Sequence, residues 1–360
     1  MSTMYNQPKA LPWNKVGHIL SEDEPHTLDY IFNQYDGNNR INYDVREEPL
    51  VRVPKDVIEA IQQGIPFDWQ PTMKSIVTSH KATIRTEEKY GIDYTLGIVG
   101  NDYQIVQNDK ALEFMNFIEE VSGQPLNIET FGALGHGEKI FITATLGEDM
   151  FLNPDDAVKN YLVFTTGHNT KSPIQIFFSP IRVICSNSLA IAIKGAQNKI
   201  MFKHTKNVGK RVDFTDEENR KKAIEVFAKS VKFKDAFIEK MNLLKAQNVN
   251  AEYVKDFAHY VMLSDEQFKL YQRADKNIEK VEEIGTRVKN QIIGLQNAIE
   301  NSVGQQYNRS TKLWLLNGLT TMFQNDMEYR SDEAKLDSLV FDGTNQKKLQ
   351  KAFDYLTIAA

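Results

Sequence analysis

The spacing of the apolar residues changes once along this chain, and that change limits the fold more than any other feature. From residue 82 to residue 205 the apolar positions alternate or fall in short runs, as strands require. Ala82-Thr83-Ile84-Arg85-Thr86 and Tyr94–Val99 flank a Tyr90-Gly91 break and predict a hairpin. Asn127–Phe131 and Lys139–Leu146 make a second pair, and Tyr161–Thr166, Ile174–Phe178, Ile181–Cys185 and Ile200–Thr205 further strands. In the last of these Ile200, Phe202 and His204 fall on one face and Met201, Lys203 and Thr205 on the other. Two helices interrupt the pattern: one capped by Asn108 and carrying Phe114, Met115 and Ile118, and a short one over Ser188–Lys194 capped by Asn187.

From Thr215 the period becomes helical. Thr215 and Glu218 have the spacing of a capping box, and Asn250 and Ser264 open two further helices. Residues 277–303 carry Ile278, Val281, Val288, Ile292, Leu295, Ile299 and Val303 at near-heptad spacing, so we expect one long amphipathic helix packed within the chain. Leu313–Phe323, around Trp314, and a last helix opened by Asn345 complete the series. The expected fold is therefore α+β: a mainly antiparallel sheet with packed helices, followed by a C-terminal helical region. We divide the chain into an irregular N-terminal arm (1–80), an α+β core (81–212) and a helical domain (213–360).

Charge is as uneven as periodicity. Ala157–Val212 contains no Asp or Glu, yet holds Lys159, Lys171, Arg182, Lys194, Lys199, Lys203, Lys206, Lys210 and Arg211, with His168 and His204, in a chain whose net charge is −5. A phosphate backbone needs several cations on one surface, and exposed rings can hold unstacked bases. The block interleaves Tyr161, Phe164, Phe177, Phe178 and Phe202 with its cations. The bland alternative is that core strands avoid acids anyway and that lysines keep a sheet edge soluble. No zinc finger, recognition-helix pattern or RNA-recognition aromatic signature occurs, which argues against reading a duplex sequence.

Catalysis finds less support. The chain lacks GxSxG, HExxH, CxxC and the phosphate-loop motif. Gly132-Ala133-Leu134-Gly135-His136-Gly137 lies between two strands, where it makes a hairpin tip and not the helix entry a phosphate cradle needs. Cys185 with His168 could form a nucleophile pair, but Cys185 follows Val183-Ile184 and reads better as a buried, inert thiol. The seven histidines are scattered and the block has no carboxylate, so we expect neither metal nor cofactor. The single cysteine excludes an intrachain disulfide framework and suits a reducing cytoplasm. The first residues lack the basic-then-apolar pattern of a signal peptide, and no apolar run approaches the roughly 20 residues that span a bilayer.

Several residues, by their order and spacing, resemble those of a family of phage, prophage and plasmid proteins filed as domain of unknown function 932. They are Pro12-Trp13, Ala82–Thr86, Leu96–Gly100 with Tyr103 and Gln107-Asn108, the Gly132-Ala133-Leu134 turn, Tyr161-Leu162, His168, the run from Pro180 to Leu189, His204-Thr205, and Trp314 with Leu316-Asn317. Asn169-Thr170 departs from the acidic-plus-glycine pair that the family would place there. The resemblance implies a mobile-element setting in a bacterial host and supplies no chemistry.

From the residues we expect a non-catalytic protein that binds nucleic acid without reading its sequence, single strands preferred, in replication, recombination or annealing. The contacts would come from Lys171, Arg182, Lys194, Lys199, Lys203, Lys206, Lys210, Arg211, His168 and His204. Recombination proteins of this kind often assemble as homo-oligomers. The competing expectation is a phage protein that binds a host protein to antagonise defence, or a virion-associated component, using the acidic helical half.

Overall fold

The computed structural model of the chain describes Leu11 and residues 13–53, 55–65, 77–123, 125–145, 150–153, 156–182, 187–188, 199–213, 216–301, 308–341 and 343–358. Strand β1 (His18–Ile19) leads through a π-helical turn at Tyr30–Gln34 to β2 (Arg46–Val51), helix α1 (Lys55–Gln62), β3 (Val77–Glu87) and β4 (Ile92–Gly100). Next come α2 (Asn108–Ser122), β5 (Asn127–Leu134), β6 (Lys139–Thr145), β7 (Met150–Asn153), β8 (Asp156–Gly167), β9 (Ile174–Arg182), β10 (Asn187–Ser188), β11 (Lys199–Phe202) and the one-turn helix α3 (Val208–Arg211). The helical region holds α4 (Glu217–Ala246), α5 (Ala251–Met262), α6 (Asp265–Arg273), α7 (Thr286–Asn301), α8 (Lys312–Thr321), α9 (Asp332–Leu339) and α10 (Thr344–Ile358).

The strands form two antiparallel sheets, and the fold is α+β with a C-terminal helical region. The larger sheet has the order β1-β5-β6-β8-β9-β10, with β11 also paired to β9 and β7 to β8; the smaller is β2-β3-β4. Pro49 sits in β2, where an edge strand tolerates its missing N–H. In the β3–β4 turn Gly91 takes φ 62°, a conformation that costs glycine little.

The described residues among the first 80 contribute to both sheets, β1 to the larger and β2 and the start of β3 to the smaller. Trp13 is fully buried, edge-on to Tyr161 at 5.1 Å. The Val45 N–H donates to Gln107 Oε1 (3.0 Å), and Gln107 Nε2 donates to the Val45 carbonyl (2.6 Å). A side-chain amide thus imitates a strand partner and ties the N-terminal segment to the start of α2. Helix α2 packs on the large sheet and sets Phe114 against Phe202 of β11, ring centroids 5.8 Å apart.

In the helical region every residue of α8 is buried. A helix that is apolar on most sides can only be the centre of a bundle, and α8 packs against α4, α7 and α10. Lys312 enters this core because its Nζ donates to the Leu356 carbonyl at 2.9 Å; burial still pushes its pKa down. The two halves meet where α4 packs on β7 and β11 and α8 on β10, and again where α9 reaches the β5–β6 hairpin. Lys139 Nζ lies 2.5 Å from Asp337 Oδ1, and the Gly135 N–H donates to Glu333 Oε1 at 2.9 Å. The glycine-rich segment is thus a hairpin tip, and one of its amides is occupied by a carboxylate of the same chain.

Four local expectations need correction. Asn108 does not cap α2: its side chain faces inward, and Gln107 stands at the cap without a side-chain bond. Thr215 lies outside the described residues; the side chain that caps α4 is Asp216, which accepts from the Asn219 N–H at 3.0 Å. The stretch 277–303 is not one helix. Asp275 and Lys276 take positive φ, a single 3-10 turn follows at Ile278–Lys280, and α7 begins only at Thr286, just past Gly285. Val281, Ile292, Leu295 and Ile299 are buried all the same, and Ile278 and Val288 partly so, so the apolar spacing marked core positions while the backbone path differs. Asn187–Ser188 pair with β9 as a strand, and residues 189–198, which include Lys194, lie outside the described residues.

Candidate nucleic-acid interface

Strand β11 lies beside the first half of β9, with Ile174 opposite Phe202 and Phe177 opposite Lys199. The alternation holds one step past its end: Ile200 and Phe202 are half-buried and His204 is buried, while Met201, Lys203 and Thr205 are exposed. The register carries Lys203 to the turn between β8 and β9, where Lys171 stands. That turn is set by Asn169, whose Oδ1 accepts from the Lys171 N–H at 2.9 Å. Lys171 and Lys203 line one cavity of about 530 Å³, together with Asp102, Tyr103 and His204.

The chain then folds back through α3. Arg211 Nη2 donates to the Lys203 carbonyl (3.2 Å) and to Thr205 Oγ1 (2.7 Å), which pins the short helix to the end of β11. Asn219 Nδ2 donates to the Lys210 carbonyl at 2.6 Å and ties the same helix to α4. Lys171, Lys203, Lys206, Lys210 and Arg211 are all exposed at this corner. Among the described residues none of these side chains forms an ion pair, although Asp102 lines the same cavity.

Other members of the basic block behave differently. Lys159 is answered by Glu129 of β5, 3.6 Å away, an acid no sequence window would have supplied. Lys199 is half-buried, with its Nζ 6.0 Å from the Phe177 ring centroid. Arg182 closes β9, but its side chain, like Lys194 and Cys185, lies outside the described residues.

Neither histidine adds a cation to the corner, although His204 lines its cavity. His168 is 0% exposed; its Nε2 is 3.0 Å from Asn108 Oδ1. Asn108 spends its Nδ2 on the Ile41 carbonyl, so its oxygen accepts from the imidazole and Nδ1 is the bare nitrogen. That Nδ1 is buried without a partner. Burial first, and the neighbouring His204 second, push the His168 pKa down to about 3. His204 stacks on Tyr103 at 5.0 Å and bonds through Nδ1 to the Gln104 carbonyl at 3.2 Å. Burial pushes it to about 4, against the opposing pull of that carbonyl. Both rings are neutral at pH 7 and offer no cation to a phosphate.

The interleaved rings are corrected in the same way: Tyr161, Phe164, Phe177 and Phe178 are core residues. The corner therefore offers charge without ring faces. Sequence reasoning also missed what holds His168. Thr83 Oγ1 donates to its carbonyl at 2.5 Å, and Tyr103 OH donates to the adjoining Gly167 carbonyl at 3.2 Å. Thr83, Tyr103, Asn108 and His168 are far apart in the chain and meet in one buried polar knot behind the cationic corner. Among the described residues no group of three or more His, Cys, Asp and Glu is placed to hold a metal ion. No described helix is long and apolar enough to cross a membrane.

Two antiparallel sheets fused to a helical bundle, with a cationic corner braced by buried polar groups, define the class of this protein. The chain belongs to the family described as Domain of unknown function (DUF932), whose model matches residues 95–340. No curated protein and no solved structure matches it.

Proposed function

We propose that this protein binds nucleic acid through the phosphate backbone at the β11–α3 corner, without reading sequence and without catalysis. Single strands are the preferred ligand, and replication, recombination or annealing of a phage or plasmid, in the cytoplasm of a bacterial host, is the setting. The observation that carries the reading is that Lys171 and Lys203 line one cavity and Arg211 is bonded to the Lys203 carbonyl, with Lys206 and Lys210 exposed on the short segment between them, all five outside ion pairs among the described residues. An acidic chain spends free energy on such a corner through mutual repulsion, and a polyanion relieves it.

Charge reversal tests this reading. The variant Lys171→Glu, Lys203→Glu, Lys206→Glu, Lys210→Glu, Arg211→Glu should abolish the shift of a labelled oligonucleotide while leaving the circular dichroism spectrum unchanged. A folded variant that still binds as the wild type does would place the contact elsewhere.

A further inference from the structure

The corner cavity does not end at the corner. Asn101 and Tyr103 also line a second cavity of about 550 Å³, and Val45 and Arg46 line both that cavity and a third of about 910 Å³. The series runs along the smaller sheet, from the loop after β4 to the β3–β4 turn. Its chemistry changes on the way. In the far cavities Lys81 is paired with Glu47 at 2.5 Å, Arg46 with Asp93 at 2.7 Å, and Arg85 with Glu87 at 3.1 Å. These three cations are already neutralised, Arg40 faces Asp36 at 3.9 Å, and Lys89 lies over the Tyr90 ring at 5.3 Å, so phosphates gain less there than at the corner.

What this end offers is an exposed ring. Tyr90 is 66% exposed in the turn. Tyr43 is buried beneath the Arg85 guanidinium and Tyr94 is stacked on His136, so both brace the turn from within and leave Tyr90 as its open face. An exposed planar ring suits an unstacked base. From this gradient we infer that a bound single strand runs from the cationic corner along the β2–β3–β4 sheet to the β3–β4 turn, its phosphates held at the first end and its bases stacked at the second. This rests on the proposed function and adds a direction and a length to it. Strand β4 spans nine residues, roughly 27 Å. That accommodates about eight phosphates at helical spacing and fewer in an extended strand.

The test uses the full chain with two oligonucleotides, dT12 by direct titration and dT4 by competition, and the variant Tyr90→Ala, which removes an exposed ring from a turn. Tyr90→Ala should weaken dT12 by about fivefold or more and leave dT4 unchanged. Lys203→Glu with Arg211→Glu should weaken both. If the wild type binds both oligonucleotides and Tyr90→Ala alters neither, or alters both equally, the strand does not reach the turn and the inference is overturned while corner binding stands. If the wild type binds neither, nucleic-acid binding itself fails and the inference fails with it.

Discussion

Acidification from pH 7 to pH 5 should destabilise this protein through two buried rings. His168 and His204 are held neutral in the folded chain, with pKa values near 3 and 4, against about 6.5 in an unfolded chain. The folded state thus binds these protons more weakly than the unfolded state. Their stabilising contribution is complete above pH 6.5, falls as the pH drops below it, and goes on falling until the folded values are reached. Each group removes about 1.4 kcal/mol per pH unit inside that window. Integrated from pH 7 to pH 5, the pair costs about 3 to 4 kcal/mol, a large share of an ordinary domain's stability. His259, also lowered by burial, acts in the same direction. Carboxylates such as Glu24, held near 2 chiefly by the Ser21 N–H and by His18, matter only below about pH 4.5 and leave the window clear. Urea unfolding followed by circular dichroism at pH 7, 6 and 5 measures the loss, and His204→Gln should reduce it by about 2 kcal/mol over the whole range, roughly half. A wild-type stability flat to within about 1 kcal/mol over this range would mean that the rings are not held neutral.

Other substitutions follow from the same contacts. A methyl group on Gly97 would lie 2.9 Å from Asn169 Cα and 2.9 Å from the His168 carbonyl oxygen, both backbone atoms, so Gly97→Ala should cost about 1–3 kcal/mol in urea unfolding. Leu316→Ala hollows the centre of α8, where Leu316 is 0% exposed, and should cost about 2–5 kcal/mol by the same assay. Lys159→Ala breaks a partly exposed pair with Glu129; it should change stability by less than about 1 kcal/mol and leave oligonucleotide affinity unaltered.

Strand positions, the fold class and the inward and outward faces of residues 200–205 were legible because a period of two and a helical period depend on local chemistry alone. The backbone path after α6 was not legible. Positive φ at Asp275 and Lys276 ends the helical run, and neither residue type announces it. The candidate site was half legible. Composition marked the acid-free block, but only the fold decides which cations an acid from elsewhere reaches, as Glu129 reaches Lys159. Histidine is the clearest failure. His168 and His204 sat in a basic block and resembled ligand contacts, whereas the sheet buries both. Asn108 resembled a helix cap for the same reason, and its bond to His168 spans sixty residues of chain.

The most direct test of the cationic corner is the salt dependence of oligonucleotide binding. Five phosphate contacts to a single strand release counterions with a slope near −3.5 in log K against log salt, so affinity should fall about a hundredfold between 50 and 200 mM salt. No binding at 50 mM, or an affinity unmoved by salt, would contradict a phosphate-binding corner.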